Sequence, residues 1–325
     1  MAKQSKRPRK RKKQTVKTRR KIINWSEYNQ ALVNRGNFTF WISDDVLAQW
    51  RHENDHFKVG RPFTYSDLAI ETLLTLRELF RLTYRGTEGF AKSVLSLMQV
   101  DVLIPDFTTL AKRAKTLAIA LNASKVKGAV ALLVDSTGLK VYGEGEWKVR
   151  KYGWSKRRTW CKLHLAVNAE TQEIEAEILT DNATDDAAVV DDLLDQTENK
   201  VGKFSGDGAY DKWKVYDTLL ERDGIVPVIP PRRDAKIRQH GNRKLPPLAR
   251  DEAIRGIRKL GRSEWKQQVG YHRRSLAETA MYRMKVLFGA SLKNRSSEAQ
   301  KTETKLRCKI LNHFTRLGMT KYTEK

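Results

Sequence analysis

Cysteine is nearly missing from this chain: Cys161 and Cys308 are the only two in 325 residues. They lie far apart and outside any metal-ligand spacing, which excludes a disulfide framework and agrees with a reducing cytosol. Long apolar runs are missing as well. No stretch approaches the roughly 18 apolar residues of a spanning helix. The basic segments also lack the Leu/Phe face of a helix that lies on lipid, so no membrane partner is expected. No apolar core of a signal peptide follows the basic start. Acids are in short supply: 38 Asp and Glu stand against 63 Lys and Arg, a formal net charge of +25. An excess of that size points to a polyanion, and with membranes set aside that polyanion is nucleic acid. Apolar residues make up 40% of the chain, enough for a real core in two or three domains.

Residues 1–21 contain no acid. The run Lys6-Arg7-Pro8-Arg9-Lys10-Arg11-Lys12-Lys13 cannot fold alone, because its charges repel and nothing apolar is buried. It is suited to lie along phosphates and release counterions. Asn37 to Ile42 reads as a short strand and Ser43-Asp44-Asp45 as a helix start. His52-Glu53-Asn54-Asp55-His56 matches the zinc-protease pattern, but Asn54 and Asp55 are poor helix formers and Gly60-Arg61-Pro62 closes the segment. No zinc is expected there. From Tyr65 the pattern is helical, with Leu68, Leu73, Leu76, Leu79 and Phe80 as an apolar stripe. A second helical run, Thr87 to Met98, is followed by a break at Val102–Asp106 and a third run, Phe107 to Leu117. The third run carries Thr108, Thr109, Lys112, Arg113 and Lys115, as the reading helix of a helix-turn-helix would. A plain helical hairpin with a basic outer face would look the same.

The texture changes after the polar linker at 122–128. Ala129-Val-Ala-Leu-Leu-Val134 reads as a buried strand by its unbroken apolar run, and Asp135-Ser136-Thr137-Gly138 ends it before Leu139 to Tyr142 continues. A Gly-rich turn at Gly143–Trp147 and a basic, aromatic stretch to Trp160 follow. Trp160–Val167 and Ile174–Leu179 alternate as an antiparallel hairpin. Asp185–Asp195 is an acidic amphipathic helix, its aspartates read as solvated or capping. Lys203 to Ser205 delivers Asp207 between Gly206 and Gly208, glycines that let backbone and ligand approach closely, while Asp211 reads as a helix N-cap. Ile225–Ile229 is a further strand. The order is that of an α/β domain.

The last informative stretch runs from Tyr271 to Lys285. At about 100° per residue, Tyr271, Arg274, Glu278 and Lys285 fall within roughly 60° of arc on one helix face. One carboxylate among cations suits a place where a metal ligand and phosphate clamps meet. Ser275-x-x-Glu278 is also a capping box, which would start the helix at Leu276 and give Glu278 a local task. Asp135, Asp207 and Glu278 lie about 70 residues apart in turn. Two neighbouring strands and a covering helix would bring them together, and three acids at low dielectric call for divalent cations. Alone, Asp135 and Asp207 could equally hydrogen-bond turn amides.

Together, Val134-Asp135-Ser136-Thr137-Gly138, Gly206-Asp207-Gly208-Ala209-Tyr210-Asp211 and the Tyr271, Arg274, Glu278, Lys285 spacing resemble the DDE transposases of bacterial insertion sequences, the group called insertion sequence family five most of all. The resemblance spans roughly residues 24 to 318. It implies an RNase H-like mixed-sheet catalytic domain at 126–290, preceded by a basic tail at 1–23 and an N-terminal helical, helix-turn-helix-like DNA-binding region at 24–125, and followed by a helical tail at 291–325. It implies that Asp135, Asp207 and Glu278 hold two Mg²⁺ ions, which Mn²⁺ can replace, and that Tyr271, Arg274 and Lys285 contact DNA. The partners would be double-stranded DNA, as terminal inverted repeats and as target, and further copies of the chain in a dimer or larger assembly. The setting would be the bacterial cytoplasm, at the nucleoid. Two other classes share these features: a DNA-binding regulator that no longer cuts, and a metal-dependent nuclease without strand transfer.

Overall fold

The uninterrupted apolar stretch Val130–Val134 has one stable place, the middle of a sheet covered on both faces, and the computed structural model puts it there. The structure describes residues 20–37, 41–53, 62–141, 160–222, 224–239 and 246–324. The basic run at 1–19, residues 38–40 of the expected first strand, residues 54–56 of the His-x-x-x-His match and the Gly-rich and basic stretch at 143–159 lie outside the described residues. The chain divides into two units, 38–316 and the two ends taken together, 1–37 with 317–325. In the unit of the ends, β1 (Arg20–Ile22) pairs antiparallel with a last strand, β8 (Tyr322–Glu324), and α1 (Trp25–Arg35) follows. Asn24 holds them together, its amide donating to Met319 O at 3.0 Å and its carbonyl accepting from Lys321 N at 2.8 Å.

The expected boundaries at 125 and 290 both fall inside the larger unit. It begins with helices α2 (Asp44–Ala48), α3 (Asp67–Leu79), α4 (Tyr84–Leu97) and α5 (Phe107–Arg113). Ser66 caps α3 by accepting from Ala69 N at 3.1 Å, worth about 1 kcal/mol. Fully burying Ile70, Leu73, Leu74 and Leu76 is worth about 1.5–3 kcal/mol each. Burial therefore decides that helix. The long helix α11 (Ser297–Leu317) contributes Ala299 and Leu306 to the same core. It is joined to α3 by Glu78, which accepts from Arg307 Nε at 3.0 Å.

The sheet of this unit has the order β4-β3-β2-β5-β6, with β2 (Val130–Val141), β3 (Trp160–Asn168), β4 (Ile174–Asp181), β5 (Val201–Ser205) and β6 (Val226–Val228). The first three strands are an antiparallel meander, whereas β5 and β6 run parallel to β2. Crossovers through α6 (Val190–Gln196) and α7 (Trp213–Glu221) place Leu193 and Leu219 against Leu132, Val134 and Phe204. This is the RNase H-like arrangement that the resemblance implied. Helices α8 (Ala249–Leu260), α9 (Arg262–Gln268) and α10 (Ser275–Phe288) follow, and β7 (Ser291–Leu292) adds to the far end of β2.

Two local expectations are corrected. β2 does not break at Asp135–Gly138; it runs unbroken into the expected continuation and ends at Val141, because β3 supplies ladder partners from Leu132 to Lys140. Gly138 makes room for this pairing, since a Cβ there would meet the Trp160 ring at 3.2 Å. Gly206 also makes room for the Tyr210 ring, which a Cβ would approach to 2.7 Å. Asp211 caps no helix: it is buried and accepts from Arg250 Nε at 2.6 Å, Arg232 N at 2.9 Å and Tyr216 Oη at 3.2 Å, anchoring the basic loop before α8.

Candidate active site

Parallel pairing of β2 with β5 sets Leu133 beside Ser205, so Asp135 and Asp207 emerge from neighbouring strands. Asp207 follows β5 and caps a short 3-10 turn, accepting from Ala209 N at 2.8 Å. α10 packs on β2 and β3 through Ala277, Met281, Met284 and Phe288, residues spaced three or four apart on one face. That contact carries Glu278 to the edge of the two strands. A 3-10 turn, Tyr271–Arg274, leads into α10, so the chain is already helical where a cap would form, and Ser275 makes no capping bond. The capping box is absent.

What holds Glu278 is Arg274. Its guanidinium donates to Asp135 Oδ2 at 2.6 Å and, through its other amino group, to Glu278 Oε1. Asp135 also accepts from Ser136 N at 2.9 Å. Burial raises the Asp135 pKa; Arg274 opposes the rise and the nearby Asp207 charge adds to it. Burial works against the Arg274 charge, yet Asp135, Tyr271 and Glu278 together raise its pKa. The Tyr271 ring lies 5.7 Å from that guanidinium and 4.6 Å from Lys266 Nζ. Burial keeps its phenol protonated to higher pH than usual. Two turns along α10, Lys285 Nζ donates to Thr137 Oγ1 at 2.6 Å, two residues past Asp135 on β2. Two residues of the predicted helix face, Arg274 and Lys285, thus meet the strand of the first acid, while Glu278 and Tyr271 gather on Arg274.

The residues of the expected reading helix divide. Thr108 and Thr109 turn both amides and hydroxyls to Asp106 at the start of α5. Lys112 and Lys115 are exposed. Arg113 is not a surface contact: it is buried, pairs with Asp67, donates to Tyr65 O at 3.0 Å and lies over Phe63. Nine residues separate α4 from α5, where a helix-turn-helix uses roughly three or four.

Behind the acids stands a cluster that sequence reading passed over. His164 lies opposite Ser136 in the β2–β3 ladder, fully buried, with Nδ1 3.4 Å from Asp186 Oδ1. Lys162 Nζ approaches the same oxygen at 3.3 Å. Tyr210 is buried with its hydroxyl unbonded among the described residues; burial raises its pKa, helped by the charges of Asp186, Asp135 and Asp207. Alternation of Lys162, His164 and Ala166 along one strand was the available signal. It needed the register to become meaningful, and Asp186 was hidden in an acidic run.

A family profile described as Transposase DDE domain matches residues 127–313, and a second of the same description matches 33–144. The chain belongs to the DDE transposase family. A solved piggyBac transposase synaptic complex with hairpin DNA is similar over 92% of this chain and 77% of that one, at 13% identity and a TM-score of 0.41. DDE transposases use divalent metal ions. In this DDE transposase the donors available, three carboxylates, are the hard oxygen ligands that such ions prefer. Among the described residues, no group of three or more His, Cys, Asp or Glu side chains converges closely enough to hold an ion, and a guanidinium stands between two of the acids. The chemistry fits, with Arg274 supplying the positive charge in the arrangement seen. No described helix is long and apolar enough to cross a membrane.

Proposed function

We propose that this transposase, of the insertion sequence family five group, binds the terminal inverted repeats of its element, hydrolyses phosphodiesters at the ends and joins the freed 3′-hydroxyls to target DNA. Asp135, Asp207 and Glu278 would hold two Mg²⁺ ions, or Mn²⁺ in their place. When bound, such ions activate a water or a 3′-hydroxyl on one side of a phosphodiester and stabilise the leaving oxygen on the other. Arg274, Tyr271 and Lys285 line the approach and take up the phosphates. The exposed Lys112 and Lys115, with the basic tail, hold the duplex. Two element ends and one site per chain make a dimer or larger assembly on DNA the working unit.

One observation supports this reading most: a single side chain, Arg274, reaches both Asp135 on β2 and Glu278 on α10. Acids distant in sequence share one cation there, and structural acids on separate elements have no need to converge. The test is a strand-transfer assay with purified protein, Mg²⁺ and duplexes carrying the inverted repeats that flank the gene. Joined products support the proposal. Cleaved ends without joining would assign a nuclease, and binding without cleavage a regulator.

A further inference from the structure

A concentration of positive charge lies away from the acids. A cavity of about 700 Å³ opens between the start of α4, α5 and the segment joining β7 to α11. Arg77, Arg81, Arg85, Lys115, Lys293 and Arg295 line it, and no Asp or Glu does. The N-termini of two long helices reach it, α4 through Thr83 and Tyr84 and α11 through Ser296, adding partial positive charge.

Beneath the cavity lies a buried charge network that does not balance. Glu78 accepts from Arg77 at 2.7 Å and from Arg307 at 3.0 Å. Glu303 takes Arg307 together with the amides of Lys293 at 2.9 Å and Asn294 at 3.0 Å. Three cations, Arg77, Arg307 and Lys293, thus face two carboxylates that are already engaged. Lys293 Nζ is fully buried without a hydrogen-bond partner among the described residues, and so is Arg77 Nε. A dehydrated ammonium left unpaired costs several kcal/mol, so the site calls for an anion from outside. Its walls are ordered in advance: the Arg77 guanidinium lies 4.2 Å from the Tyr84 ring centroid and that of Arg85 4.3 Å from the Phe107 centroid.

We infer that this cleft binds the phosphodiester backbone of DNA at a second place, separate from the acids, with Lys293 and Arg85 as its principal phosphate ligands. The inference rests on the transposase reading above. A polyanion is favoured over a single small anion because, with Arg77 offset by Glu78, the five other cations of the lining still exceed the charge of one phosphate. The position also suits a continuous strand. Arg81, on the cleft wall, donates to Leu287 O at 2.8 Å and Val286 O at 3.2 Å, the last carbonyls of the helix that bears Glu278. Nine residues of helix separate Glu278 from Leu287, about 14 Å, or the rise of about four base pairs.

The experiment is a salt titration of binding between the full-length protein and a fluorescent duplex of arbitrary sequence, for wild type, Lys293→Met and Arg85→Gln. Each variant should lower the slope of log Kd against log salt by about 0.9, one phosphate contact. Lys293→Met should melt no lower than wild type, since it removes an unpaired buried charge. If it does not fold, the exposed Arg85→Gln carries the test. Wild-type binding with unchanged slopes in the folded variants would overturn the cleft and leave the transposase reading standing. A wild type that binds no duplex would remove both. A thermal shift of the wild type by inorganic phosphate, lost in the variants while duplex slopes stay unchanged, would make the site one for free phosphate and overturn its assignment to DNA.

Discussion

Arg274 donates to Asp135 at 2.6 Å across 139 positions of sequence, and the same guanidinium reaches Glu278 one helical turn further on. One cation thereby offsets two acids that the fold has pressed together. A guanidinium is a fixed charge that cannot be titrated away, so its position between them is a statement about where positive charge is wanted. Divalent ions would be drawn to the same acids.

Replacing Arg274 tests that relationship. Arg274→Gln should destabilise the metal-free protein by about 1–3 kcal/mol, the cost of a charged bond left unmade. Added Mg²⁺ should recover part of the loss, because an ion bound by the native state stabilises it. Melting temperatures of wild type and variant, with EDTA and with Mg²⁺, measure both effects. A deficit that Mg²⁺ does not narrow would separate the acids from metal binding.

Asp135→Asn and Asp207→Asn each remove a ligand charge at nearly constant shape. Cleavage and joining should fall by more than the roughly 10–100-fold typical of a residue that only orients a ligand, while duplex affinity stays near wild type. Cleavage at the wild-type rate by either purified variant would sink the metal assignment.

Glu278→Gln distinguishes a ligand from a local helix residue. The missing capping bond of Ser275 already removes the reason for a stability role. Activity should collapse with the melting temperature changed by no more than about 1 °C, a fraction of a kcal/mol in a chain of this size. An active Glu278→Gln enzyme that melts lower would return the residue to a structural task.

Lys285→Ala should weaken binding to cleaved DNA ends by about 1–3 kcal/mol without changing metal dependence. Lys285 Nζ sits at Thr137, two residues from Asp135, where a phosphate held at the acids would be in reach. Equal affinity for cleaved and uncleaved ends in wild type and variant alike would show that this lysine only ties α10 to β2.

Two buried groups should tilt stability in opposite directions with pH. Burial lowers the His164 pKa from 6.5 to about 4, against the pull of Asp186. The unfolded chain takes that proton first, so stability is lost as pH falls from 6.5 to about 4, by up to about 3 kcal/mol. Burial pushes Glu177 up from 4.5 to about 7. The folded chain keeps that proton longer, so stability is lost as pH rises from 4.5 to about 7. Between those limits the two slopes oppose each other. Melting curves should therefore show Glu177→Gln gaining stability with rising pH relative to wild type, and His164→Gln losing it. Parallel profiles for all three proteins would refute both assignments.

Asp135, Asp207, Glu278 and the Tyr271–Lys285 face stand out in the chain because each sits in a short pattern whose meaning is local; the structure joins Asp135 to Glu278 through Arg274. Asp135 follows an apolar run, Asp207 stands between glycines, and Glu278 keeps helical spacing with its cations. The order of strands and helices was legible for the same reason, since period and turn chemistry act over a few residues. Sequence charge alone also pointed to a polyanion.

Tertiary structure decided the rest, because it depends on which residues meet across long separations. The β2–β3 register carried the strand through Asp135 and brought His164 opposite Ser136, a neighbour no spacing rule connects. Arg113 has the composition of a DNA contact and was turned inward by Asp67, Tyr65 and Phe63. Arg274 has the same composition and was drawn to two acids instead of left in solvent. Lys293, unremarkable in sequence, became an unpaired buried cation only when α3 and α11 closed over Glu78 and Glu303. A side chain's charge is written in the sequence, but the partner that spends or spares it is chosen by packing.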